Sequence, residues 1–236
     1  MMTLSELWKH FKLLSSPEPL SEEERTFLER FLREEYQLRE KKRIEYLMKT
    51  SGIISQRLIR LRRKRIKYLQ DFDWSFNPKI PREKIMEFIH TDWLKKPSNL
   101  VIIGPAGTGK THIATALCHD ALSKGHQTIF ITLFDLVAKL SKANNLFSSI
   151  EYYAKVPILC LDELGYVVPT KEQADWIFQI ISKRTELTTT LITTNLIPSN
   201  WGKIFDSVTA SAILDRLSLN GKFITFEGRS YRSKNK

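Results

Sequence analysis

Eight consecutive residues, Gly104, Pro105, Ala106, Gly107, Thr108, Gly109, Lys110 and Thr111, fit the phosphate-cradling pattern G-x-x-x-x-G-K-[ST]. Glycines in such a loop let backbone N–H groups converge on an anion, and a helix starting at its end turns its positive dipole toward the phosphates. Lys110 is expected to reach the β and γ phosphates of a nucleoside triphosphate, and Thr111 to hold Mg²⁺ through its hydroxyl. A second cluster, Asp162-Glu163, closes the apolar run Pro157-Ile158-Leu159-Cys160-Leu161. Asp162 has the character of a carboxylate in the Mg²⁺ shell. Glu163 beside it can polarise a water for attack on the γ-phosphate, a role with no use in a module that only binds nucleotide. A third apolar run, Thr190-Leu191-Ile192-Thr193-Thr194, ends in Asn195, whose amide could bond the attacking water or the γ-phosphate from the carboxyl end of a strand.

These groups need a frame, and the surrounding pattern predicts one. Leu100-Val101-Ile102-Ile103 precedes the glycine loop as a short β-branched strand, and His112-Ile113-Ala114-Thr115-Ala116-Leu117 follows it with helical spacing. From Arg82 onward helical and strand patterns alternate through Phe223-Ile224-Thr225-Phe226, which predicts an α/β fold: a mainly parallel sheet with helices on both faces. Ahead of it, residues 1–70 read as a small all-helical domain. Leu4, Leu7, Phe11 and Leu14 keep helical spacing, Pro17-Glu18-Pro19 breaks the chain, and Ser21-Glu22-Glu23-Glu24 starts a second helix. Residues 71–81 carry two prolines and no sustained period, so they read as a linker, with 82–236 as the nucleotide-binding domain. The linker aromatics Phe72, Trp74 and Phe76 either line a base pocket or tack the linker onto the core.

The 236 residues, 42% hydrophobic, suffice for one sizeable core and a small appendage. Nothing resembles a signal peptide or a membrane span, and two cysteines, Cys118 and Cys160, read as small buried residues in a reducing cytoplasm. His112, His119 and His126 lack metal-ligand spacing and read as a solvated helix face. The net charge of +11 is concentrated between Arg39 and Lys67, where twelve Lys and Arg face two acidic residues, leaving the remainder near neutral. A basic block ahead of a neutral catalytic core fits a nucleic-acid backbone, whose counterion release rewards clustered cations. The candidate contacts are Lys41, Lys42, Arg43, Arg57, Arg60, Arg62, Arg63, Lys64, Arg65 and Lys67, with Lys139 and Lys142 as further candidates. A GTPase lacks support because Asn195 continues as Leu-Ile-Pro and the Asn-Lys-x-Asp guanine reader is missing. A metabolic phosphotransferase fits poorly with a carboxylate pair suited to water attack, and a purely structural DNA-binding protein has no use for a hydrolytic site.

The phosphate loop, Leu159 to Tyr166, Thr193-Thr194-Asn195, Asn200-Trp201-Gly202-Lys203-Ile204-Phe205, Ala212 to Leu217 and Gly228-Arg229-Ser230-Tyr231-Arg232 together resemble the IstB-like ATP-binding proteins, as does Phe72-Asp73-Trp74. That family belongs to the AAA+ ATPases, near the DnaC-type helicase loaders, and helps bacterial insertion-sequence transposases. The resemblance implies an AAA+ P-loop ATPase core and a homo-oligomer, ring or helical, that uses ATP to assemble on double-stranded DNA, deform it and deliver it to a cognate transposase in the bacterial cytoplasm. It also implies roles for two arginines: Arg216 as an arginine finger acting on a neighbouring subunit's γ-phosphate, and Arg232 as a second sensor acting in its own subunit. The chain departs from the pattern chiefly at Pro169-Thr170-Lys171-Glu172-Gln173, and its N-terminal part matches more by pattern than by residue. A DnaC-like loader of a replicative helicase, binding single-stranded DNA, is the alternative.

Overall fold

A computed structural model describes residues 2–13, 20–53 and 67–233. The proposed contacts Arg57, Arg60, Arg62, Arg63, Lys64 and Arg65, and the break at Pro17–Pro19, lie outside the described residues. The chain forms two compact units, Met1–Tyr46 and Leu47–Lys236.

In the first unit, helix α1 (Leu4–His10) opens with a capping box in which Thr3 and Glu6 satisfy each other's backbone N–H groups. Ser21 and Glu24 do the same ahead of α2 (Glu22–Thr50), which continues past the unit boundary. His10 meets Tyr36 edge-on at 4.9 Å and Arg39 lies 4.7 Å from the Phe11 ring, so α1 and α2 are joined by aromatic contacts. Lys41, Lys42 and Arg43 are exposed on α2, with Arg43 3.3 Å from Glu40 one turn back.

The second unit is built on five strands, β1 (Asn99–Ile103), β2 (Thr128–Thr132), β3 (Ile158–Leu164), β4 (Thr189–Thr194) and β5 (Gly221–Thr225), all parallel in the order β2-β3-β4-β1-β5. Its helices are α3 (Arg82–His90), α4 (Lys110–Ser123), α5 (Leu133–Ser141), α6 (Leu146–Lys155), α7 (Lys171–Arg184) and α8 (Ser207–Ser218). The predicted parallel sheet with helices on both faces is the fold observed. Period-two alternation assigns the layers. Val101, Ile103, Leu159, Leu161 and Ile192 face a core shared with α5 to α8, whereas Leu100, Ile102, Ile158, Cys160 and Leu191 face one shared with α3 and α4. Among the described residues no helix is long and apolar enough to cross a membrane. Cys118 and Cys160 are both buried free thiols.

Strand order decides where a ligand can sit. β1 lies between β4 and β5, but the chain leaving it through α4 returns at the far edge, in β2. The crevice at the carboxyl ends of β1 and β4 is therefore a topological switch point, the place where open α/β sheets bind ligands.

One buried charge organises the opposite end of the sheet. Arg184, in the last turn of α7, is 1% exposed and donates to Thr190 Oγ1 (3.0 Å) and to the carbonyls of Tyr153 (2.8 Å), Ala154 (3.2 Å), Val156 (2.7 Å) and Thr189. Burial pulls its pKa down to about 9, so the guanidinium stays charged at neutral pH. Its acceptors are neutral oxygens, several at the carboxyl end of α6, where the helix dipole favours a cation. Arg184→Met keeps the volume but strips these carbonyls of their donor. We expect it to cost about 3 kcal/mol or more, because each buried acceptor left unpaired costs roughly 1–3 kcal/mol. A urea-unfolding midpoint equal to that of the wild type would contradict this role.

Candidate functional site

The glycine loop connects β1 to α4 and is held on both sides. Gly104 N–H donates to the Thr194 carbonyl of β4 (3.0 Å), and Tyr231 N–H donates to the Gly107 carbonyl (2.9 Å). Two glycines have left-handed backbones under close cover. A Cβ on Gly107 (φ +80°) would lie 2.0 Å from Ser230 Oγ, and one on Gly109 (φ +100°) 2.5 Å from the Phe72 ring. The loop is thus clasped by the linker and by the C-terminal segment, two stretches far apart in sequence. Asn77 joins them, donating from Nδ2 to the Arg229 carbonyl (2.8 Å) and accepting from Arg229 N–H at Oδ1 (3.0 Å). Phe76 meets Tyr231 edge-on at 4.9 Å beside this clasp.

Lys110 and Thr111 begin α4. Lys110 is buried, and its Nζ donates to the carbonyls of Gly104 (2.7 Å) and Pro105 (2.8 Å). Desolvation lowers its pKa; Asp162 opposes that shift and Arg232 adds to it. Thr111 Oγ1 donates to Asp162 Oδ1 at 3.0 Å, bringing the loop and the β3 carboxylate together. Thr193 of β4 completes the group: its hydroxyl donates to the same Asp162 oxygen and accepts the Glu163 N–H (3.1 Å).

Glu163 sits in a β-bulge. The β3–β4 register shifts between Leu161 and Leu164, and Glu163 has φ +61°, so its side chain is exposed while its neighbours in β3 are buried. The bulge breaks the strand's alternation where two adjacent carboxylates would otherwise point to opposite faces. As a result, Asp162 meets Thr111 while Glu163 lines the nucleotide-sized cavity.

That cavity measures about 820 Å³. Besides the loop residues 106–112 it is lined by Glu163, Thr193, Thr194, Arg232, Tyr166 and Lys67, with Phe72 and Phe76 of the linker on its wall. The linker aromatics tack the linker onto the core, and two of them, Phe72 and Phe76, border the cavity. Phe72 is buried in the core and borders the cavity, and Trp74 packs against the same core.

Other residues lie elsewhere. Asn195 is exposed beyond the end of β4, beside Gly165, and Thr193 and Thr194 take its expected place on the wall. Arg216, in the last turn of α8, donates to the Ala212 carbonyl (2.9 Å) and stacks 4.8 Å from the Phe178 ring. Its own carbonyl accepts from Asn99 at the start of β1 (3.5 Å), which puts it at the amino end of the sheet, opposite the glycine loop. Lys139 and Lys142 are exposed at the end of α5, away from the cavity. The solvated reading of His112 and His119 is corrected. His112 Nε2–H donates to the Tyr68 carbonyl (2.8 Å), and both imidazoles contact aromatic rings of the 68–72 segment. Thr193, Asn77 and this histidine anchoring were missed from sequence; two hydroxyls at the carboxyl end of a buried strand were the available signal for the first.

Thr111 and Asp162 are the oxygen donors beside the glycine loop that could hold a hard cation such as Mg²⁺.

Comparison with known proteins agrees with this geometry. The family described as IstB-like ATP binding protein matches residues 3–236. The ATP-binding protein assigned to insertion sequence IS232 of Bacillus thuringiensis subsp. berliner is 38% identical over 71% of this chain and 69% of its own length. The corresponding protein of insertion sequence IS5376 from Geobacillus stearothermophilus is 30% identical over 99% of this chain and 90% of its own. Among solved structures, DnaI superposes with a TM-score of 0.59 at 22% identity, covering 68% of this chain and 90% of that one. The DnaC helicase loader does so with 0.52 at 24%, covering 61% and 87%. The second unit has the AAA+ P-loop ATPase fold, and the chain belongs to the IstB-like ATP-binding proteins of insertion sequences.

Proposed function

We propose that this protein is an ATP hydrolase that oligomerises on double-stranded DNA, remodels it and presents it to the transposase of its insertion sequence. The observation that carries the hydrolytic part is the bulge that frees Glu163 beside a glycine loop already joined to Asp162. Thr111 and Asp162 would hold Mg²⁺, which neutralises charge on the phosphates when bound. Lys110 and the loop N–H groups would grip the β and γ phosphates, with Arg232 reaching them within the subunit. Glu163 would accept the proton of the attacking water, and Asn195 is a candidate to orient that water. Arg216, remote from its own subunit's site, would serve a neighbour's, so ATP would act as the adhesive between subunits and hydrolysis would dissolve the assembly.

DNA binding rests on the basic block. Lys41, Lys42 and Arg43 on α2, together with the six cations of residues 57–65, Lys139 on α5 and Lys142 just after it, would contact phosphates rather than bases, and such affinity falls steeply with salt. The helical part ahead of the linker would carry this contact and part of the oligomer interface. Insertion-sequence relatives support the transposition role, and a cytoplasmic setting is part of the same proposal. The test uses Glu163→Gln protein with ATP on matched single- and double-stranded DNA at one salt concentration, followed by sizing of the complex. A large ATP-dependent assembly that prefers duplex is expected. Preference for single strands would replace this reading with a helicase loader, and ATP-dependent oligomers in Lys110→Ala would sink the adhesive role of the nucleotide.

A further inference from the structure

The basic block that begins at Arg39 ends at Lys67, and Lys67 lines the nucleotide cavity together with Lys110 and Arg232. It reaches the cavity through a fixed stretch of chain. The next residue, Tyr68, is tied to α4 through its carbonyl by His112 (2.8 Å) and through its ring by His119 (4.8 Å). Phe72 then covers Gly109 and packs edge-on against His112. The acids on that side of the cavity are engaged by their own turns: Asp71 accepts from Tyr68 N–H, and Asp73 from Ser75 and Phe76. Asp162 favours the charged form of the Lys67 ammonium and Arg232 disfavours it. Its pKa is lowered by desolvation, as that of Lys110 is.

We infer that Lys67 is a nucleotide-phosphate ligand that favours ATP over ADP. The inference rests on the reading of the cavity as an ATP site and adds to it a residue. A triphosphate carries about one more negative charge than a diphosphate, so a further cation on the wall favours ATP over ADP.

Lys67→Met and Lys67→Arg test this by fluorescence titration with N-methylanthraniloyl-ATP and N-methylanthraniloyl-ADP in Mg²⁺. Loss of one charge-assisted contact predicts about tenfold weaker ATP binding in Lys67→Met, a smaller loss for ADP, and near-recovery in Lys67→Arg. Unchanged affinities in Lys67→Met, or equal losses for ATP and ADP, overturn the assignment. If the wild type binds neither nucleotide, the ATP-site reading itself fails. If it binds both and Lys67→Met matches it, only the inference about Lys67 fails. Circular dichroism on both variants verifies folding, which a substitution outside helix and strand should leave intact.

Discussion

Glu163→Gln protein is expected to bind ATP as tightly as the wild type while turning it over about 10²–10⁴-fold more slowly, the range that a positioned general base contributes. The split follows from the bulge. The Glu163 backbone is held by Thr193 and its side chain faces the cavity, while the loop, Lys110 and the Thr111–Asp162 contact that would hold the nucleotide are untouched by the change. Gln is nearly isosteric and meets the same left-handed backbone demand as Glu, so the bulge should persist. Single-turnover hydrolysis and equilibrium nucleotide titration on one preparation separate the two effects. Turnover near the wild-type rate would assign the base to another group, and a parallel loss of binding would mean that Glu163 holds the loop rather than the water.

Arg216→Ala should be as severe, lowering turnover about 10³-fold or more as expected for an arginine finger, but with a signature that Glu163 lacks. Arg216 sits at the amino end of the sheet against Phe178, whereas its own glycine loop is at the carboxyl end. A finger so placed can act only across an interface. Mixing Arg216→Ala subunits with Lys110→Ala subunits therefore builds some interfaces that pair an intact loop with an intact finger. Partial recovery of turnover on mixing two inactive proteins is the expected result. Inactivity of every mixture, with assembly intact, would remove Arg216 from the reaction. Full activity of Arg216→Ala alone would reduce it to a helix-end charge packed on an aromatic ring, a contact worth only about 0.5–2 kcal/mol.

Much of this site is legible in the sequence because its signals are local. The glycine spacing from Gly104 to Thr111 encodes a backbone shape within eight residues, and the apolar runs at β1, β3 and β4 announce buried strands whose carboxyl ends carry the polar groups. The alternation of helix and strand likewise suffices for the parallel sheet. The sequence does not carry the partners that the sheet brings together. Thr193 looks like one more β-branched residue until β4 lies beside β3 and its hydroxyl meets Asp162. Asn77 looks like a turn residue until the chain, 152 positions later, returns to fill both of its hydrogen-bonding groups at Arg229. Arg184 reads as a charge at a helix end, yet it is buried and satisfied by carbonyls of an element that precedes it. Lys67 belongs by composition to the basic block and by position to the nucleotide cavity. Backbone propensity and hydrophobic periodicity act over a few residues and are written into the chain, so the loop, the strands and the paired acids could be read directly. Which polar groups meet is settled only when the strand order β2-β3-β4-β1-β5 closes long loops, because a buried donor or acceptor must find whatever partner that packing supplies.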